Sequence, residues 1–517
     1  MKARFRDSMT WLHTWVGVVA GGLLFAIFLT GTLAYFNNEI SAWMQPEVQQ
    51  YSSTVNAVDH AQSYLNEHAS NSKRWTIMLP TDRFSPPTLY WRDPKIKGRG
   101  LKTAQLNENG EKITARNTRG GSFLYRFHFD LHYMPAFYAR WLVGICAMFM
   151  LVGIISGIII HKKIFKDFFT LQFNKGNKSW LNGHTVTSVL ALPFHLMITY
   201  TGLVTLMFMY LSWSMSLAMN DSSDYFKAIN GKSSIPKASG INKEMQPISQ
   251  LYLNAKSQLG DSAFTFITIN HPNDENASAV FTEGTTKYLI PEHRTLIYSA
   301  STGELIANNK ITNTGELTRR TMISLHSGRF ATSPVRWLYF ISGVMGSIMI
   351  ATGLILWSEK RKKSSLKKGS SFGHHLVDYL NIVFLLGLPI ALAFFFTANR
   401  LLPLDLTERA NMEVHCFFFG WLLTVLYALF RGVKRSWKEL TLYAGALFLL
   451  LPVFSLITSP RHLLNYEIQH DLTLLIIEVL FILVGIMFTY VSSKIKKYPQ
   501  GHSLKELTKK GSVNEQI

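Results

Sequence analysis

Long uninterrupted apolar runs alternate with polar stretches along this chain, and the runs recur at the length of a bilayer crossing. About 20 apolar residues are needed to span a hydrocarbon core as a helix. Eight runs meet that length, at about 14–36, 137–160, 186–210, 336–357, 376–398, 412–430, 440–458 and 472–492. The pattern predicts an α-helical polytopic membrane protein of about eight spans. Span one has a basic start but no convincing A-x-A site follows it, so it reads as a span rather than a cleaved leader.

Two long polar segments, about 37–135 and 212–335, break the apolar rhythm. In the first, a helical stretch at Val55–His68 precedes strand-like runs at Trp75–Leu79 and Thr88–Trp91, then Asn109-Gly110-Glu111. In the second, Ile248–Leu259 precedes Phe264–Ile269 and Lys287–Ile290, then Thr302-Gly303-Glu304. Each reads as one helix on a few strands closing with a Gly turn, a small α+β domain. Neither shows a catalytic constellation, so no catalytic residue is assigned. The chain divides into a tail and span one (1–36), a first outside domain (37–135), spans two and three (136–211), a second outside domain (212–335), span four (336–365), and four further spans with a tail (366–517).

The first half repeats itself. His13 and Thr30-Gly31 of span one recur as His184 and Thr201-Gly202 of span three, 171 residues on. Arg140-Trp141-Leu142 and Ser156-Gly157 of span two recur as Arg336-Trp337-Leu338 and Thr352-Gly353 of span four, 196 residues on. Leu131-His132 and Leu325-His326 precede these, with two residues more spacing in the second copy. Both copies cross in the same sense. The prediction is a four-helix bundle with a pseudo-twofold along the membrane normal. Spans five to eight show no such match.

Charge then fixes the orientation. The net charge is +20, yet only 16% of residues are charged, and the cations lie between apolar runs rather than on polar surfaces. That pattern argues against a nucleic-acid partner. With the N-terminus inside, twenty-four Lys and Arg fall in cytoplasmic segments such as Lys162–Lys178, Lys360–Lys368 and Lys494–Lys510. The two short outside loops hold only Arg400, Arg409 and Arg461. The positive-inside rule places both termini in the cytoplasm, with membrane lipid headgroups as partners for the basic loops. The two cysteines, Cys146 and Cys416, lie in apolar runs without metal or covalent-haem spacing.

Ionisable residues at membrane depth are costly and usually functional, and here they are mostly histidines. His13, His161 and His184 lie on the cytoplasmic side, with His374 and His375; His128, His132 and His326 lie on the outer side. His195 is deeper, about 16 Å beyond His184 along an unbroken helix and on the same face. His128 and His132 share a helix face at i and i+4. Haem iron takes two axial imidazoles from facing helices. The repeat offers His13 with His184 at the inner level and His132 with His326 at the outer level, so two stacked haems would carry electrons through the bilayer. Glycines would let a macrocycle approach a helix. His128 stands either as a ligand in place of His132 or as a substrate contact. His195 follows Pro193, which kinks the helix; it reads either as an iron ligand or as a donor to a freed carbonyl. His161 aligns with Trp357, so the repeat does not support it. His374, His375, His462 and His470 read as polar helix ends, and His415 is open.

At these residues the chain resembles the PepSY-associated transmembrane helix family over roughly residues 5–365. The carriers are Trp11-Leu12-His13 with Leu29-Thr30-Gly31, Phe127-His128-Phe129-Asp130-Leu131-His132, His161-Lys162-Lys163-Ile164-Phe165, and Ala191-Leu192-Pro193-Phe194-His195-Leu196-Met197-Ile198-Thr199-Tyr200. The outside segments resemble PepSY domains. The resemblance implies a bacterial inner-membrane protein with four spans, paired periplasmic domains and two b-type haems. It also implies a ferric siderophore as acceptor, so a haem-dependent ferric reductase that releases ferrous iron. Spans five to eight depart from the shorter members. The chain has no dinucleotide signature, which leaves a quinol or a partner protein as electron donor. Two rivals stand beside this reading. One is a PepSY-type regulator or anchor of a periplasmic peptidase. The other is an iron or siderophore transporter, for which Asp471 and Glu478 are the nearest intramembrane carboxylates.

Overall fold

The computed structural model describes residues 2–48, 51, 53–81, 83, 86–92, 101–161, 177–210, 235–259, 263–284, 289, 294–311, 313–368 and 372–495. Most of the Lys287–Ile290 run, the loop cations Lys162, Lys163 and Lys166, and the tail beyond Ile495 lie outside those residues.

The apolar runs are helices. They are α1 (Lys2–Ala34), α5 (Ala136–Ile160), α6 (Asn177–Leu190) with α7 (Leu192–Thr205), α11 (Ser333–Lys368), α12 (Phe372–Leu385) with α13 (Gly387–Leu401), α14 (Arg409–Arg431), α15 (Val433–Thr458) and α16 (Ile468–Lys494). Seven of these segments are long and apolar enough to cross a membrane, or eight if the bent α6–α7 pair is one span. The protein is therefore a multi-pass membrane protein. Span three is broken, its halves bent by 69°. Pro193, the second residue of α7, has no N–H for the carbonyl one turn back, and its ring crowds that carbonyl.

Spans one to four close into a ring. Span one touches two and four, and span three touches the same two. Two shorter helices lie on this ring at matching places: α4 (Gly120–Asp130) against span one, and α10 (Thr314–Ser327) against the second half of span three. The short helix α8 (Met207–Tyr210) ends span three.

The polar segments form one antiparallel sheet. The first gives α3 (Thr54–Ala69), β1 (Arg74–Met78), β2 (Thr88–Arg92) and β3 (Leu101–Gln105). The second gives α9 (Ile248–Ser257), β4 (Phe264–Asn270), β5 (Ser278–Glu283), β6 (Thr295–Ser299) and β7 (Leu305–Asn309). The order is β3-β2-β1-β4-β5-β6-β7. The seam is β1 on β4, with Trp75 opposite Ile269 and Ile77 opposite Ile267. Strand alternation sends Trp75, Ile77, Ile267, Ile269 and Phe281 to one face, where α3 and α9 add Leu65, Leu251 and Tyr252 to a single core. Both Gly turns are real: Gly110 and Gly303 sit at φ +80° and +82°, a region open to glycine without a Cβ penalty.

Span five packs against spans one and four; spans six and seven pack on span five, and span eight packs on span seven. Phe384 lies on Gly22, where no Cβ would fit. The linking helix α2 (Asn37–Met44) inserts Trp43 and Met44, both fully buried, among the C-terminal helices. One apolar core runs through both halves.

Candidate functional site

Four histidines occupy four copies of one local arrangement. In each copy a helix carries a Ser-Gly or Thr-Gly pair. The missing Cβ leaves a hollow, and an imidazole from a neighbouring helix fills it. His13 of α1 lies over Gly157 of α5, and His184 of α6 over Gly353 of α11. His128 of α4 lies over Gly31 of α1, and His326 of α10 over Gly202 of α7. A Cβ on these glycines would come within 3.2, 3.1, 2.6 and 2.9 Å of the ring atoms.

The hydrogen bonds repeat as well. Each Nδ1 meets the carbonyl four residues before its glycine. His13 bonds Gly153 at 2.9 Å, His184 bonds Met349 at 2.8 Å, His128 bonds Ile27 at 2.7 Å, and His326 bonds Ile198 at 3.0 Å. The hydroxyl before each glycine bonds back to its own helix: Ser156 to Val152, Thr352 to Ile348, Thr30 to Ala26, and Thr201 to Met197. A carbonyl oxygen can only accept, so Nδ1 carries the proton in all four rings. Nε2 is then left with its lone pair free, the tautomer a metal ligand requires.

The rings meet in pairs. The centroids of His13 and His184 are 6.2 Å apart, and those of His128 and His326 are 6.1 Å apart. An iron atom between two imidazoles asks for roughly 6 Å, two metal–nitrogen bonds of about 2 Å plus two half-rings of about 1 Å. Among the described residues no cluster of three or more His, Cys, Asp or Glu is arranged to hold a metal ion. Two protein nitrogens and no third suit a group that brings its own equatorial ligands, as haem does. By donor set, tautomer and spacing, the residues fit that group.

The expected inner pair, His13 with His184, is brought together. The outer pair differs by one histidine: His326 faces His128, not His132. The reason is local. Helix α4 stops at Asp130, and Leu131, His132 and Tyr133 all take positive φ, at 52°, 52° and 41°. The i, i+4 face therefore ends before His132. Its ring stacks instead on Phe418 of α14, at 5.5 Å and 19°. Beside it, Tyr133 is hydrogen-bonded to His415.

His195 is buried between the two levels. Its Nε2 lies 3.4 Å from the Ser342 carbonyl, and its Nδ1 has no partner. The 69° bend means it does not continue the face of His184. No second imidazole opposes it among the described residues; Phe28 does, at 6.2 Å. His161 caps the end of α5, with its backbone N–H on the Gly157 carbonyl at 3.1 Å. What approaches the glycines is imidazole, and the carbonyls of Gly153, Met349, Ile27 and Ile198 were not singled out by sequence. Their signal was present, because each stands four residues before a repeated glycine.

The family model for the PepSY-associated TM region matches residues 10–360, which contain all four paired histidines. No curated protein matches the chain.

Proposed function

The chain belongs to the PepSY-associated TM family, and from that premise we propose that it is an inner-membrane, b-type haem oxidoreductase. It passes electrons across the membrane to a periplasmic ferric siderophore. The observation that carries this reading is the fourfold arrangement: two facing imidazole pairs at two levels of one bundle, each ring held in the ligating tautomer.

His13 and His184 would hold one haem, and His128 and His326 the other, through Nε2. Bound haem supplies one-electron carriage. The remaining work belongs to the chain. The four Nδ1–H···O=C bonds fix ring rotation and raise the basicity of Nε2. The bundle supplies an apolar shell. The basic loops set both termini in the cytoplasm and the sheet in the periplasm. With haem held at both levels, the protein would take an electron from a quinol or a partner protein at the His13–His184 level and give it up at the His128–His326 level. One electron converts ferric to ferrous iron, which a siderophore binds less tightly.

The test is the visible spectrum of the purified protein, oxidised and dithionite-reduced, with haem counted per chain. Two haems are expected. His13→Ala is expected to remove one and leave the other. A haem-free protein from cells supplied with haem would overturn the reading. Stopped-flow mixing of the reduced protein with ferric siderophores tests the acceptor; if none reoxidises it, the siderophore assignment fails.

A further inference from the structure

Spans five to eight lie outside the family match, and what they add is a wall. Helix α16 presents Leu472, Ile476, Leu480, Val484 and Phe488 along one face, at helical spacing, toward a cavity of about 2130 Å³. Helix α11 forms the facing wall with Phe340, Val344, Ile348 and Ala351, and Phe25, Leu29 and Leu33 of α1 close the back. From Leu472 to Phe488 is about 24 Å of helix at about 1.5 Å per residue. One leaflet contributes about 15 Å of hydrocarbon. The apolar wall therefore starts at the sheet end of α16 and runs past the middle of its Asp471–Lys494 span, deep enough to take an acyl chain along its whole length.

The cleft's polarity runs like a leaflet. The depth is apolar and the sheet end is cationic. Glu39 is the one lining carboxylate among the described residues, and Arg83 and Arg336 already share it, at 2.8 and 3.1 Å. Arg116 pairs with Glu47. Lys112, Arg119, Lys256 and Arg329 also line the mouth, and among the described residues none of them pairs with a carboxylate. Four unneutralised cations over an apolar slot call for an anion at the top and hydrocarbon beneath it. A neutral quinol or zwitterionic lipid leaves the cations unanswered. A small soluble anion leaves the slot unfilled.

The geometry points to a binding site for one anionic phospholipid of the sheet-side leaflet, its phosphate at the cationic mouth and its acyl chains between α11 and α16. The lipid would complete the packing between the family bundle and the four added spans. This inference stands apart from the haem reading, because none of the four paired histidines lines the cleft.

The experiment is native mass spectrometry of the full-length protein after incubation with mixed vesicles of equimolar phosphatidylglycerol and phosphatidylcholine, followed by delipidating washes. One retained phosphatidylglycerol is expected, preferred over phosphatidylcholine by about tenfold or more. Arg119→Gln with Lys256→Gln and Arg329→Gln should erase the preference while a lipid is still retained. Leu480→Trp or Ile348→Trp, each on the cleft wall, should remove both lipids from protein that still elutes as a monodisperse peak. Equal retention of the two lipids by the wild type would overturn the proposal. So would undiminished retention in both tryptophan variants, or displacement of the lipid by millimolar glycerol phosphate. Haem content is read on the same samples, so failure here and failure of the reductase reading are told apart.

Discussion

At the scale of the residue, ligand choice turns on where a helix ends. His128 and His132 are equivalent on paper, one helical turn apart. They separate because three successive non-glycine residues, Leu131 to Tyr133, adopt left-handed backbone that nothing in their side chains announces. The repeat could place a histidine near the outer level but could not count through that turn. The glycines were legible, because a shared offset picks them out; their partners were not, because the contacts cross helices. His128→Ala is therefore expected to remove one haem and His132→Ala to keep both, by haem count and reduced spectrum. Gly31→Leu should act like His128→Ala, since even a Cβ would sit 2.6 Å from that ring. Loss of haem in His132→Ala with retention in His128→Ala would reverse the assignment. Far from the bundle, Asp274 gives a residue-scale test of the sheet domain. The backbone N–H of Ser239 chiefly, then those of Asn276 and Gly240, hold its carboxyl down at about 2, outweighing the opposing pull of desolvation. A depressed folded pKa stabilises above the unfolded value of about 3.9 and is lost as pH falls toward 2. Asp274→Asn should speed amide exchange at Ser239, Gly240 and Asn276 at pH 7, with the difference from wild type shrinking between pH 4 and 2. A difference that holds constant across that range would exclude the carboxylate as its source.

At the scale of the element, spans were the most legible feature and their breaks the next. Pro193 announces the bend in span three because a missing N–H is a local fact. The joining of the two outside segments was not legible. The β1–β4 seam pairs residues nearly two hundred positions apart, and strand periodicity says which face is buried but not which strand lies alongside. Helix α2 was also invisible, being too short for a periodic signal. Yet it carries the largest buried side chain between the two halves. Trp43 packs its ring at 5.8 Å from Phe396 and 5.1 Å from Phe481, with the Arg400 guanidinium 3.7 Å from its centroid. Its Nε1–H donates to Glu478 at 3.2 Å. Trp43→Ala is expected to cost about 3–5 kcal/mol, the range for emptying such a site. Thermal unfolding in detergent is the check. Trp43→Phe keeps most of the contact but leaves Glu478 without that donor, so it should fall between the two. A melting temperature unchanged in Trp43→Ala would mean that α2 does not hold the halves together.

At the scale of the whole molecule, orientation is the quantity on which the proposed direction of electron flow depends, and the architecture states it in a checkable form. The sheet, α4, α10 and the Arg409 end of α14 lie at one end of the helices; Arg409 donates to the Asn117 carbonyl at 3.0 Å. Helix α14 then crosses to Arg431, and the first turn of α15 carries Lys434 and Arg435 at the opposite end. Moving several cations per loop through the hydrocarbon is opposed by the membrane potential and by their hydration, so the proposed orientation keeps the basic end inside. An even number of spans returns the C-terminus to that side, which makes the bent pair decisive: if α6 and α7 do not cross together, the number becomes odd and the termini part. Three positions report this: Asp59 and Arg435, both exposed, and Lys2 at the start of α1. In a chain freed of thiols by Cys146→Ser and Cys416→Ser, Asp59→Cys on α3 should react with an impermeant maleimide in intact spheroplasts. Arg435→Cys and Lys2→Cys should react only after lysis. Labelling of Arg435→Cys but not Asp59→Cys before lysis would invert the protein and place the His128–His326 level inside. Labelling of Lys2→Cys together with Asp59→Cys would mean that span one does not cross, and the ring of four spans on which both histidine pairs depend could not form.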